Sequence, residues 1–411
     1  MKRRAGIWAI ALALMGGTTI VEAAQNLRVQ VNQKGDFLLI GNTLGHECAA
    51  GTPAPIVGNV GMCGANTNDS APDIFWRSES PMASQAEANN TITAAQARST
   101  AVLNIPAGAT VTHAFLYWGA TVPGGDITAT LDRPGGFSQN ITSMQMYYSS
   151  STSSYQSVAN ITEVVQAQGS GAYRMSGVDS VNIVDLYNNN SFAGWWMVVF
   201  YQLDSDPLRN LALFDGLDNV SSAAPQNLTL DGFFVPAGFT AGKLGIVAFE
   251  GENTINGDSF SFGAAPALTD GNNLANNFFN GTHSYLGMPV TTPGDLPQLA
   301  GTPQSMSGMD IDIVDVTAKL NTGMTSAPIS ATSTGDNYYL AGFVTSIPTF
   351  RPDFSTSQKS AVDINGGSLL PGDIVEYTIV ATNTGTDTSI NTVLTDPLPM
   401  GVTYEIGRAH V

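Results

Sequence analysis

Residues 194–216 read GWWMVVFYQLDSDPLRNLALFDG, and this stretch decides the fold. Its first eight residues are aromatic, β-branched or otherwise apolar and show no helical period. The turn residues Asp204, Ser205, Asp206 and Pro207 follow, and a second apolar run opens at Leu208. Two extended runs around such a turn predict a pair of strands. Working outward, the same texture recurs in NLRVQVNQ, DFLLIGNT, ATVTHAFLYWGATV, NLTLDGFFV, GKLGIVAFEGE, DSFSFG, MDIDIVDVT, APISATST and NYYLAGFVTSI. The helical candidates are short: SQAEANNTITAAQA, NITEVVQAQ and VTAKL. Many strands separated by turn signals predict an all-β chain of sandwich or jelly-roll domains.

An internal repeat is visible. AFLYWGA, NITEVVQAQGSGAYRM and GWWMVVFYQL in the first half find counterparts in LGIVAFEGE, DVTAKLNTGMTSAPIS and YYLAGFVTSI in the second. Each half places Asn160 or Asp315 before a short amphipathic turn, where its side chain is able to cap that turn. The expected organisation is a tandem of β-sandwiches, residues 24–224 and 225–350, packed together.

The amino terminus carries Lys2, Arg3 and Arg4, then an apolar run from Ala5 to Met15, then small residues before Ala24. This is the pattern of a secretory signal peptide over residues 1–23. The run is shorter than the roughly 20 residues that span a bilayer, and no transmembrane segment is expected in the mature chain. Charged residues are only 12% of the chain and the formal charge is −18, a polyanion that repels nucleic acid. The two cysteines, Cys48 and Cys63, are close in sequence in a chain read as exported, which predicts one disulfide.

The texture changes at Phe350. A linker at residues 351–358 leads into strand, PGD turn, strand, NTGTDTS turn, strand and DPLP corner over residues 359–404. On Pro371, Gly372, Asp373, Tyr377, Thr378, Asn383, Thr384, Gly385, Thr395, Asp396, Leu398, Pro399, Gly401 and Tyr404, this segment resembles the conserved repeat domain of bacterial surface adhesins. That domain also occurs in the chlamydial large cysteine-rich outer-membrane protein. The resemblance covers about half of such a domain and implies a truncated immunoglobulin-like β-sandwich. The closing residues 405–411, EIGRAHV, resemble the translated end of a sequencing adapter, so the gene product is expected to continue past Tyr404. The region 27–350 in turn resembles the amino-terminal part of large exported bacterial proteins that carry those repeats. That resemblance implies a cell-surface or secreted location and no known activity.

Three chemistries are open. Glu250, Glu252, Asp258, Asp310, Asp312 and Asp336, with Asn277 and Asn280, supply oxygen ligands of the kind calcium takes. Asp310 and Asp312 share one strand face, where two carboxylates repel unless a cation or solvent separates them. The plainer alternative is a set of solvated turn carboxylates. A second loop, Asn66, Asn68, Asp69 and Asp73, lacks the full calcium-loop spacing. The pairs Glu250 with Asp258, or Glu252 with Asp310, are candidates for a glycoside-active enzyme. Trp118 and Trp195 lie on strands beside other aromatics, and an outward ring would form a platform for glycans. No GxSxG, HExxH or phosphate loop is present, and no catalytic residue is assigned. The leading expectation is a non-catalytic, exported cell-surface adhesion protein, a sandwich head on a repeat stalk, meeting cell-surface or matrix components. The alternative is a carbohydrate-binding module of a larger secreted protein.

Overall fold

A computed structural model describes residues 19–21, 25–64, 72–78, 85–183, 191–350, 354–385, 389, 392–398 and 400–403. The segment read as a signal peptide lies outside these residues apart from Thr19–Val21, and the ending 405–411 lies outside them entirely. The described chain is almost wholly β-structure in several stacked sheets, an all-β sandwich fold. It divides into two compact units, residues 1–349 and 350–411.

Fourteen strands build the frame of the large unit. They are β1 (Asn26–Thr43), β2 (Arg98–Leu103), β3 (Thr110–Thr121), β4 (Thr128–Asp132), β5 (Ser154–Asn160), β6 (Gly171–Ser176) and β7 (Ala193–Gln202). Then come β8 (Leu208–Val220), β9 (Gln226–Asp231), β10 (Lys243–Phe249), β11 (Ser259–Phe262), β12 (Met309–Asp315), β13 (Ser326–Thr332) and β14 (Tyr338–Pro348). The first seven pair in the order β5-β3-β7-β1 and, in a second layer, β2-β6-β4. The next seven pair as β12-β10-β14-β8 and β9-β13-β11. Every one of these pairings is antiparallel, so strand n and strand n+7 occupy equivalent places.

The turn that follows β5 and β12 is built the same way twice. The Thr162 amide donates to Asn160 Oδ1 at 3.0 Å ahead of helix α1 (Thr162–Gln168). The Thr317 amide donates to Asp315 Oδ1 at 2.7 Å ahead of the single 3-10 turn Thr317–Lys319. The third helical candidate, residues 84–97, forms instead a short strand, Ala86–Asn89, and the 3-10 turn Ala94–Gln96.

Strand β1 is read in the sequence as two strands, and the structure makes it one of 18 residues that serves two sheets. Asn26–Lys34 pairs with β8, and Gly35–Thr43 pairs with β7. The change of partner falls at Gly35, with φ at +134°, where a Cβ would overlap the carbonyl oxygen of Tyr201. Glycine alone meets both demands. Residue 224, the expected domain division, lies in the Ser221–Ala224 turn, and β8 and β14 pair across it.

Three apolar layers hold the stack. Leu116, Trp118, Trp195, Met197 and Val199 join Leu103, Leu131, Tyr173 and Met175 of the first outer sheet. Tyr117, Trp196, Val198 and Phe200 meet Leu211, Leu213, Phe249, Ile311 and Val344 between the two inner sheets. Leu244, Ile246 and Phe343 join Leu230, Phe260 and Ile329 of the second outer sheet. The inner strands are therefore covered on both faces, which explains why β7 and β14 read as unbroken apolar runs.

Fully buried Asp215 of β8 ties the inner sheets together. It accepts from Arg28 Nε at 2.7 Å, from the Tyr117 hydroxyl at 2.6 Å and from the Tyr147 hydroxyl at 2.7 Å. Cys48 and Cys63 are joined in a disulfide.

In the smaller unit, β15 (Gln358–Asp363) and β16 (Val375–Val380) form a two-stranded antiparallel sheet. Lys359 pairs with Asp396 at 2.7 Å and lies over the Tyr377 ring. Val362, Ile364, Leu369, Leu370, Val393, Leu394 and Met400 are exposed there.

Candidate functional site

The acidic residues gather at one end of the second sandwich. Asp258 precedes β11, Asp310 and Asp312 sit on β12, Glu250 and Glu252 follow β10, and Asp336 precedes β14. They are not solvated turn carboxylates, since none is more than 4% exposed. Asp310 and Asp312 share a face as the alternation of β12 requires, yet their fates differ.

Both oxygens of Asp312 are engaged by Thr282 Oγ1, and Ser284 Oγ donates to Oδ1 at 2.6 Å. Asp310 uses only Oδ1, which accepts from the amides of Asn280, Gly281 and Thr282 at 2.9, 2.9 and 3.0 Å. Its Oδ2 is buried with no hydrogen-bond partner. Gly251 stands against that oxygen with no side chain to displace it. Asp258 repeats the arrangement. Its Oδ1 accepts from the Phe278 and Phe279 amides at 2.5 and 2.7 Å, and its Oδ2 is buried without a partner. Asp336 Oδ2 accepts from the Glu252 amide at 3.4 Å.

The segment Asn277–Thr282 is thus gripped by one carboxylate at each end. Asn277 donates its Nδ2 to the Asn253 carbonyl, and Asn280 donates its Nδ2 to the Asn272 and Asn277 carbonyls. These bonds fix the amide orientations, because a flipped amide would set oxygen against oxygen. The Oδ1 atoms of both asparagines are left buried without a partner.

Burial raises the carboxyl groups here. Asp258 is pushed up to about 6, and Asp336 to about 8 with help from Glu252 and Asp258. Asp310 is driven well above the usual carboxylate range by desolvation and then by the Asp312 charge. Asp312 is also raised, chiefly by desolvation. Among the described residues, no lysine or arginine pairs with Asp258, Asp310 or Asp336.

The six carboxylates do not act as one ligand set. Among the described residues, no three side chains of His, Cys, Asp or Glu form a group that holds a metal. The pairs weighed for a glycosidase are equally sealed: Glu250 with Asp258 are 3% and 0% exposed, and Glu252 with Asp310 are 4% and 0%. A glycosidase needs both groups lining a cleft that admits sugar.

The aromatic expectation also meets burial. Trp118 and Trp195 are 0% exposed. They lie opposite one another across β3 and β7, and Trp195 Nε1 donates to Ser99 Oγ at 2.9 Å. Their neighbours Tyr117 and Trp196 stack at 3.7 Å on the other face of the sheet and are buried too. One ring of each pair was expected outward, and an inner sheet has no outward face. Sequence reasoning missed a different opening, about 550 Å³, lined by Thr152, Asn219, Ser221, Ser222, Ala224, Asn337 and Tyr339. Its hydroxyl and amide side chains come from distant segments with no local motif.

Of the loop Asn66, Asn68, Asp69 and Asp73, the first three lie outside the described residues. Asp73 is buried, and its Oδ2 accepts from the Cys48 amide at 3.2 Å. Among the described residues, no helix is long and apolar enough to cross a membrane. Comparison with known proteins finds no matching family model, curated protein or solved structure.

Proposed function

We propose that this chain is a non-catalytic structural protein of the exported, cell-surface adhesion type, a layered sandwich head carried with a repeat-like unit after Thr349. The observation that supports this best is the placement of its polar chemistry. The carboxylates able to act as acid and base are sealed inside the second sandwich, and their partners are loop amides and hydroxyls. Groups so placed hold a fold together and do not reach a substrate. The Cys48–Cys63 disulfide supports an oxidising, extracytoplasmic location. Calcium belongs to the same reading, as a structural ion of the second sandwich.

Fractionation of cells producing the full chain tests export. The expected result is a form shortened by residues 1–23, with Cys48 and Cys63 blocked to thiol reagents before reduction, accessible to protease added to intact cells. Full-length protein with free thiols in the cytosol refutes the reading.

A carbohydrate-binding module is the second reading, favoured by the opening beside Tyr339, since hydroxyl and amide side chains are what sugar hydroxyls pair with. Glycan-array binding that Asn337→Ala abolishes would select it over the first.

A further inference from the structure

We propose that the loop Asn277–Thr282, with the two carboxylates that grip it, is a calcium-binding site whose protein ligands are Asp258 Oδ2, Asp310 Oδ2 and the side-chain oxygens of Asn277 and Asn280. This deepens the calcium part of the reading above and rests on it only for exposure to extracellular calcium. The site itself stands on four buried oxygens that have no hydrogen-bond partner among the described residues.

A buried acceptor without a donor costs about 1–3 kcal/mol, and more when charged. One such atom is tolerable in a folded chain. Four on or around a single six-residue loop are a pattern, and each has a local reason for being left over. The two carboxylates spend one oxygen apiece on the loop's amides, which leaves the second oxygen of each free of that duty. The two asparagines spend their nitrogens on backbone carbonyls, which turns each oxygen away from those bonds. Asp312, two residues from Asp310 on the same strand face, shows the contrast. The Thr282 and Ser284 hydroxyls reach both of its oxygens, and neither is left without a partner.

What would satisfy all four leftover atoms is a positive centre, since each is an acceptor. Buried Asp258 and Asp310 repel one another, and among the described residues no cationic side chain answers them. The donor set is oxygen alone, two charged and two neutral, which selects a hard ion over zinc or copper. Amide oxygens on an irregular loop suit the flexible coordination of calcium better than the strict octahedron of magnesium. Calcium takes six to eight oxygens, so four from side chains leave room for water. The set holds two carboxylates and two amides, in keeping with the absence of any three-carboxylate group among the described residues.

The test uses the full chain stripped of divalent ions with a chelator, then titrated with calcium chloride by calorimetry and thermal melting. Wild type is expected to bind at one saturable site and to melt at rising temperature as calcium is added. Asp258→Asn and Asp310→Asn are expected to bind on the order of 100-fold more weakly. Because Asp310 also holds the loop, Asn277→Ala serves as the gentler variant. It leaves both carboxylate clamps in place and should bind about tenfold more weakly. No saturable binding by wild type, or unchanged affinity in all three variants, overturns the site. An equal response to magnesium overturns the assignment to calcium. A chain found at the cell surface that fails to bind calcium would sink the site and leave the export reading intact.

Discussion

The two sandwiches thread seven strands in one order, yet they fill equivalent positions with opposite chemistry. Tyr155 and Ser157 stand five and three residues before Asn160 in β5, and Asp310 and Asp312 stand five and three before Asp315 in β12. The register agrees as well, with Ser157 opposite Trp118 and Asp312 opposite Ile246. In the first sandwich these places are filled by a buried ring, whose hydroxyl donates to the Asp179 carbonyl, and by a serine that donates to the Asp126 carbonyl. In the second they hold two carboxylates over a loop. One backbone plan therefore accepts either a donor side chain or an acceptor, provided that the covering loop offers the complementary group. In the first sandwich the loop presents carbonyls, and in the second it presents amides and hydroxyls.

Three measurements test how far the two halves depend on one another. The largest effect is expected at the seam the two halves share. Asp215→Ala leaves the Arg28 guanidinium facing an empty place and the Tyr117 and Tyr147 hydroxyls without their acceptor, at a cost of about 3–5 kcal/mol. Urea unfolding should lose that amount in one transition. Two separated transitions would mean that the halves do not lean on Asp215. Next comes the disulfide loop, which reaches from the first sandwich to Gln298, Gln304 and Ser307 in the second half. Replacing Cys48 and Cys63 together with serine frees a loop of sequence separation 15 and should cost about 3 kcal/mol. If calcium affinity changed as well, the shared middle layer would be shown to couple the two halves.

The smallest effect concerns pH. Asp295 and His283 line a small cavity with Asn42, Val290, Leu299 and Met306, none of which titrates. Burial pushes Asp295 up to about 7 and His283 down to about 4. The raised Asp295 contributes stability that is fully present below about 4 and lost as pH rises through about 7. The lowered His283 contributes stability present above about 6.5 and lost as pH falls through about 4. Between about 4 and 6.5 the two slopes oppose each other. His283→Gln should therefore lose stability as pH rises over that range, and Asp295→Asn should gain it. Parallel pH profiles for the two variants would refute the pairing.

Much of the frame was legible in the sequence because alternation and turn chemistry are local. The turn at Asp204–Pro207, the Asn160 and Asp315 steps and the repeat they mark all announce themselves within a few residues. The faces of the inner strands did not, since which side of Trp118 or Trp195 is covered depends on sheets far away in the chain. The lack of polar alternation in Ala193–Tyr201 was the available signal for burial on both sides. The acidic site was half legible. The carboxylates and asparagines could be gathered from composition, but which oxygen each one spends on the backbone is a matter of tertiary geometry.

Strand β1 carries a further consequence for how the chain comes to be made. Its first residues, Asn26–Lys34, have their hydrogen-bonding partner in Leu208–Asp215, some 180 residues later. A polypeptide emerging in order, amino end first, must hold that early ribbon unpaired while the whole first sandwich takes shape around its other half. The earliest segment to appear is thus among the last to be completed, and closing the molecule waits on synthesis of its middle.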